Sequence, residues 1–171
     1  MSVNEHKHEA PDQVACMILT VSDTRTLETD KSGQLMKDLL EDTNYRVVEH
    51  KIVQDSLTDI QQCIRYADHS NEIEVLLING GTGITFRDTT YEAVSQMLDK
   101  ELPGFGELFR YLSFDRDIGS AAMLSRAVAG VRGYTAIFST PGSSGAVKLA
   151  MEQLIVPELA HVMREIYKDK P

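Results

Sequence analysis

With 171 residues, 42% of them hydrophobic and 25% charged, the chain suits one domain whose core buries about 70% of its unfolded surface. A net charge of −9 and a pI near 5.0 exclude a general nucleic-acid surface or one made for acidic membranes, while leaving small anions open as ligands. No apolar stretch of about 18 residues is present to cross a membrane, and a cytoplasmic protein is expected.

Residues 1–11, with His6 and His8, read as a polar disordered tail, and residues 12–171 as a single domain. Val14–Val21 is almost continuously apolar, the pattern of a strand buried on both faces. Ser22-Asp23-Thr24-Arg25 breaks it, and polar residues to Asp30 precede a helix carrying Leu35, Leu39 and Leu40. Tyr45–Val53 reads as a second strand, ended by Gln54-Asp55-Ser56. Ser56 with Asp59 has the spacing of a capping box, opening a helix whose apolar face is Leu57, Ile60, Ile64 and Ala67. A third strand, Val75–Ile78, stops in Asn79-Gly80-Gly81-Thr82-Gly83, and Arg87-Asp88 follows. Thr89 with Glu92 forms a second box, for a helix through Val94 and Leu98. Leu102-Pro103-Gly104 turns the chain. Phe105, Leu108, Phe109 and Leu112 then share one helical face, with Arg110 on the polar side. A short helix around Ala121–Ala127 leads through Gly130 to a strand at Tyr134–Ser139. Thr140-Pro141-Gly142-Ser143-Ser144-Gly145 opens a long helix interrupted at Pro157. Cys16 and Cys63 lie on separate elements outside any CxxC pair, and both are expected reduced.

Strands alternating with helices predict a mostly parallel sheet covered on both faces, with right-handed crossovers. Four polar loops (22–25, 55–56, 80–88 and 140–145) each follow a strand. They therefore converge on one rim, where open parallel sheets bind ligands. Glycines in the third-strand loop let backbone N–H groups approach an anion. The spacing is neither that of a P-loop nor GxGxxG. Asp88 beside a phosphate site would be repulsive without a cation, so Mg²⁺ bridging carboxylate and phosphate is the economical reading. Asp55 on the same rim suggests a shared metal or a shared reacting phosphate. Ser143 and Ser144 fit an N-cap and an anion cradle equally. Arg25, Arg87 and Lys148 are the candidate cations for phosphate charge. No Ser-His-Asp set and no zinc set is readable.

Five blocks together resemble the molybdopterin adenylyltransferase family of the MoaB/MogA type, over roughly residues 12 to 168. They are Leu19–Arg25, Gly80–Gly83 with Arg87-Asp88, Leu102–Glu107, Ala122–Ala127 and Pro141–Val147. The resemblance implies a three-layer α/β/α fold with a mostly parallel sheet. It implies Mg-ATP-dependent adenylylation of molybdopterin with release of pyrophosphate. Asp55 and Asp88 would be the catalytic and metal-holding residues. Ser22, Asp23, Gly80, Gly81, Thr82, Gly83, Arg87, Ser125, Pro141, Gly142 and Ser143 would hold nucleotide or pterin. It further implies a homo-oligomer, trimer or hexamer, and a downstream molybdenum-insertion protein as partner. The alternative is a non-catalytic molybdopterin-binding module or scaffold. Two positions depart from the family pattern: Gln54 stands where relatives often carry Pro, and Ser120-Ala121 where some carry two serines, so no pterin contact is expected at position 121.

Overall fold

Successive side chains of a strand point to opposite faces, and the central strands bury both. In the computed structural model, which describes residues 13–170, β1 (Ala15–Val21), β3 (Val75–Asn79) and β6 (Thr135–Thr140) are buried along their whole lengths. The tail expected over residues 1–11 lies outside the described residues. β2 (Arg46–Val53), β5 (Val128–Arg132) and β4 (Lys100–Glu101) complete a six-stranded sheet in the order β2-β1-β3-β6-β5-β4. β1 pairs in parallel with β2 and β3, and β3 with β6. β5 and β4 close the far edge antiparallel.

Helices α1 (Lys31–Glu41), α4 (Pro103–Arg116), α5 (Ser144–Ala150) and α6 (Val156–Tyr167) cover one face. There Cys16, Ile18, Val75 and Leu77 meet Met36, Leu40, Phe109, Val147 and Leu159. Helices α2 (Leu57–His69) and α3 (Thr90–Ser95) cover the other, where Met17, Leu19, Leu76 and Ile78 meet Ile60, Ile64 and Val94. The result is the expected three-layer α/β/α arrangement. Each fully buried Leu or Ile contributes about 1.5–3 kcal/mol of transfer free energy. Cys16 and Cys63 are both free thiols, and burial, with a smaller effect of the Glu74 charge, pushes the Cys16 thiol up to about 12.

Four local expectations need correction. Residues 119–124 form a 3₁₀ turn (Gly119–Leu124), and the chain then enters β5, which the sequence reading passed over. α3 ends at Ser95 and does not extend through Leu98. On α4, Phe105 and Phe109 are buried but Leu108 is 53% exposed, so the apolar face is split between core and surface. Arg110, expected on the polar side, reaches the Ala127 carbonyl at 3.4 Å. The interruption near Pro157 takes the form of a π-helical turn, Met151–Ile155. Proline has no N–H to give four residues back, and the widened turn before it removes that demand.

Order along the sheet matters for function. β2 lies on one side of β1 and β3 on the other, so the loops leaving β1 and β3 part in opposite directions and open a crevice at the carboxyl ends.

Candidate functional site

Around that crevice the four loops are tied together by polar contacts. β1 runs out at Ser22, whose Oγ accepts from the Arg25 and Thr24 amides at 3.2 and 3.3 Å, folding the chain back. The next residue, Asp23, accepts the Asp55 amide on Oδ1 at 3.1 Å and pairs through Oδ2 with Arg87. The loops after β1, β2 and β3 are thus joined by a single carboxylate.

Beyond β3 the backbone needs glycine. Gly80 has φ +99°, and a Cβ on it would stand 2.2 Å from the Val21 carbonyl oxygen. Gly81 has φ +63°, and its Cβ would stand 2.2 Å from Thr90 Oγ1 and 2.6 Å from Asp55 Oδ2. At Gly83 a Cβ would stand 2.6 Å from Asp88 Oδ2. Both predicted aspartates therefore lie against the glycine loop, Asp55 over Gly81 and Asp88 over Gly83.

Each is held by one oxygen. Asp55 Oδ1 accepts from the Thr89 amide at 3.0 Å and the Thr89 hydroxyl at 2.7 Å. Asp88 Oδ2 accepts from the Thr85 amide at 2.9 Å and the Thr85 hydroxyl at 2.6 Å. The remaining oxygens, Asp55 Oδ2 and Asp88 Oδ1, accept no hydrogen bond among the described residues. No group of three or more His, Cys, Asp or Glu that could hold a metal occurs among the described residues. Mg²⁺ does not require one, since it takes one or two carboxylates and keeps water and phosphate oxygens for the rest. Two open, hard carboxylate oxygens beside a glycine backbone fit such an ion.

The loop after β6 lies across the crevice. A Cβ on Gly142 would stand 3.1 Å from the Gly80 Cα, so these two backbones nearly touch. Arg25 Nη2 donates to the Gly142 carbonyl at 3.1 Å, and its other nitrogen to Ser32 and Asp30. Ser143 caps α5, its Oγ accepting from the Ala146 amide at 3.2 Å. Of the candidate cations, Arg25 is therefore committed to holding loops together. Arg87 remains 77% exposed in its pair with Asp23, and Lys148 faces Glu152 at 4.0 Å.

Two features carried no assigned role in the sequence reading: Arg126 and the buried polar network of Asn79, Thr20, Ser32 and Asp30. Arg126, just past the 3₁₀ turn, threads into the glycine loop. Its guanidinium donates to the carbonyls of Thr82 (3.3 Å), Gly83 and Asp88 (3.2 Å), pairs with Glu92 and lies over the Tyr91 ring. The Arg126 hydrogen bond holds the Glu92 carboxyl below its ordinary range against a smaller effect of burial. Ser125 is brought to the same wall, its Oγ accepting from the Ala127 amide at 3.4 Å.

Beneath the loops, Asn79 donates to Thr20 Oγ1 at 2.9 Å and accepts from Ser32 at 2.7 Å, and Thr20 donates to buried Asp30. Burial alone would raise the Asp30 carboxyl. Hydrogen bonds from Thr20, the Gly33 amide and His50, with the His50 charge, outweigh it and hold the group low.

An apolar hollow of about 560 Å³ lies away from this rim, between the β5–β6 turn and α6. None of the predicted site residues lines it.

The family model described as a probable molybdopterin binding domain matches residues 17–161. The chain belongs to this family. Molybdenum cofactor biosynthesis protein B of Halalkalibacterium halodurans is 61% identical over 170 residues, 99% of this chain and 100% of that protein. Its namesake in Bacillus subtilis is 58% identical over the same shares. A crystal structure of Molybdenum cofactor biosynthesis protein B superposes with a TM-score of 0.91 at 55% identity, covering 94% of this chain and 100% of that one. The tungsten cofactor synthesizing protein MoaB from Pyrococcus furiosus superposes at 0.82 with 37% identity, covering 92% and 99%. The MoaB/MogA resemblance read from the five blocks is borne out, and every site residue it assigned falls inside the span of the molybdopterin-binding domain.

Proposed function

We propose that this chain acts in molybdenum-cofactor biosynthesis and adenylylates molybdopterin at the expense of Mg-ATP. One observation carries this reading: Asp55 and Asp88 are each fixed through one oxygen against Gly81 and Gly83, with the other oxygen open. In the reaction, an oxygen of the pterin's terminal phosphate bonds to the α-phosphorus of ATP. The bond from that phosphorus to the β-phosphate oxygen breaks, and its electron pair leaves with pyrophosphate. An ionised phosphate has no proton to lose, so the step asks for alignment and charge neutralisation more than for a general base. Asp55 Oδ2 and Asp88 Oδ1 would hold Mg²⁺, which when bound offsets the charge of the assembled phosphates. The Gly80–Gly83 backbone, Thr82 and the Pro141–Ser143 turn would line the nucleotide and pterin, with Ser22, Asp23, Arg87 and Ser125 at the margins.

The apolar side chains left exposed on α4 and the following turn, Leu108, Tyr111, Phe114, Ile118, Met123 and Leu124, support a homo-oligomer, trimer or hexamer. Among the described residues no helix is long and apolar enough to cross a membrane. A cytoplasmic site of action and hand-over to a downstream molybdenum-insertion protein complete the proposal.

A non-catalytic pterin-binding module is the second reading. It is favoured by the threonine bonds on both aspartates, which also make sense as loop fasteners. Pyrophosphate release from Mg-ATP, with and without molybdopterin, separates the two. The enzyme gives pterin-dependent release that falls at least about a hundredfold in Asp55→Asn and Asp88→Asn while pterin binding persists. No release from the wild type, with pterin still bound, leaves the binding module.

A further inference from the structure

Asp23 and Arg87 join the loops that follow β1 and β3, but the two are not held alike. Asp23 is the fixed member: its Oδ1 accepts the Asp55 amide at 3.1 Å, and its side chain is 32% exposed. The Arg87 side chain is 77% exposed, and its contact with Asp23 Oδ2 is its single hydrogen bond among the described residues. A guanidinium carries five N–H donors, so most of those on Arg87 face solvent. The other arginines of the rim are committed. Arg25 holds Gly142, Ser32 and Asp30, and Arg126 holds the carbonyls of Thr82, Gly83 and Asp88 together with Glu92. Arg87 is thus a movable positive charge beside the glycine cradle, and a fixed carboxylate already stands on it.

We propose that Asp23 is a positioning residue that acts through Arg87: its carboxylate holds the guanidinium in the unliganded protein, and an incoming phosphate displaces it. The inference rests on the reading above, in which the glycine loop receives phosphates. A phosphate offers a guanidinium the same two-pronged contact as a carboxylate and more negative charge, so it takes the arginine over. An exposed ion pair is weak, which makes the exchange easy. The displaced carboxylate stays on the Asp55 amide and keeps competing for Arg87. Asp23 therefore sets how tightly the triphosphate is held without touching it.

Calorimetric titration with Mg-ATP tests this on the wild type, Asp23→Asn, Arg87→Met and the double variant, beside thermal melts of each. Asparagine keeps an oxygen for the Asp55 amide and turns its NH₂ toward Arg87, so the competitor goes while the loop stays fastened. Asp23→Asn is expected to bind Mg-ATP about two- to fivefold more tightly, the worth of an exposed ion pair, with a Tm within about 3 °C of the wild type. Arg87→Met is expected to bind at least about fivefold more weakly. On the Arg87→Met background the gain from Asp23→Asn is expected to vanish, because the group through which Asp23 acts is gone. A gain of equal size on that background would mean that Asp23 only repels phosphate at a distance, and would overturn the exchange. Weaker binding by Asp23→Asn would make the carboxylate an aid to the ligand and overturn it too. Arginine side-chain NMR on the wild type gives a reading free of any substitution at Asp23. The Arg87 Nε–H resonance, identified by its loss in Arg87→Met, is expected to shift on adding Mg-ATP, and one that stays in place refutes the displacement. Wild-type protein that binds no Mg-ATP would sink the nucleotide reading and this exchange with it, whereas binding that Arg87→Met leaves unaltered sinks the exchange alone.

Discussion

Replacing Asp30 by asparagine tests the device that holds two of the site loops in register. The Asp30 side chain is fully buried and gathers four donors. Oδ2 accepts from Thr20 Oγ1 at 2.5 Å and His50 Nε2 at 2.9 Å. Oδ1 accepts from the Gly33 amide at 3.0 Å and Arg25 Nη1 at 3.4 Å. Asparagine keeps one acceptor and turns the other into a donor. Its oxygen must face Gly33 and Arg25, which can only donate, and its NH₂ then meets Thr20 and His50. The imidazole can change tautomer and accept, but the Thr20 hydroxyl, which already accepts from Asn79, loses the acceptor of its own hydrogen. Also lost is the charge opposite Arg25 and His50, worth about 2–3 kcal/mol from the usual yield of charge-assisted bonds. Asp30→Ala removes the acceptors as well and is expected to cost about 4 kcal/mol. Urea unfolding at pH 7 reads both: with a slope of about 2 kcal/mol per molar, the asparagine variant's midpoint falls by about 1–1.5 M. The sign with pH also follows. Because the folded carboxyl titrates below its ordinary range, its stabilisation is present above the unfolded value of about 3.9 and is lost as pH falls through the folded value. The gap between wild type and Asp30→Asn therefore closes on acidification below about pH 4. A midpoint within about 0.2 M of wild type, or equal losses in the two variants, would refute the account.

Arg126→Met is expected to loosen the glycine loop, because three carbonyls and Glu92 lose their shared donor at a cost of about 2 kcal/mol. Hydrogen exchange at residues 82–88 accelerates in that variant. Arg126→Lys recovers little of the protection, since a point charge cannot span the set; full recovery by lysine would argue that charge alone matters. Gly81→Ala demands a left-handed backbone, at about 1–2 kcal/mol, and drives a methyl into Thr90 and Asp55. Nucleotide affinity is expected to fall further than stability does, and calorimetric titration with Mg-ATP beside a thermal melt shows whether it does.

The capping signals show how far local sequence reaches. Ser56 with Asp59 and Thr89 with Glu92 have the same spacing, yet only the first pair caps: Ser56 Oγ accepts the Asp59 amide at 3.4 Å. Thr89 makes no side-chain cap, because its hydroxyl donates to Asp55, 34 residues away, and Glu92 turns to Arg126. The box pattern failed where the loop was recruited to the site. β1, β3 and β6 were legible because strands buried on both faces leave uninterrupted apolar runs, and their alternation with helices was enough to gather four loops on one rim.

β5 was not legible, since Gly130 sits at its centre and reads as a breaker. Its reason is tertiary: a Cβ there would stand 2.3 Å from the Lys100 carbonyl oxygen, so the short β4 can pair only against glycine. Arg126 stands two residues before that strand. The residue that binds the glycine loop most extensively therefore enters the site from the lead-in to a strand whose own sequence denies it is one, and no period or spacing in the chain links it to Thr82, Gly83 or Asp88. What local chemistry writes into this sequence is the cradle and its carboxylates; what closes the cradle is set by the antiparallel edge of the sheet, through contacts spanning 38 to 44 residues. A substitution that unpairs β4 from β5 without touching the rim, such as Gly130→Val, is accordingly expected to accelerate exchange in the 82–88 loop, whereas an effect confined to the β4–β5 edge would break that chain of reasoning.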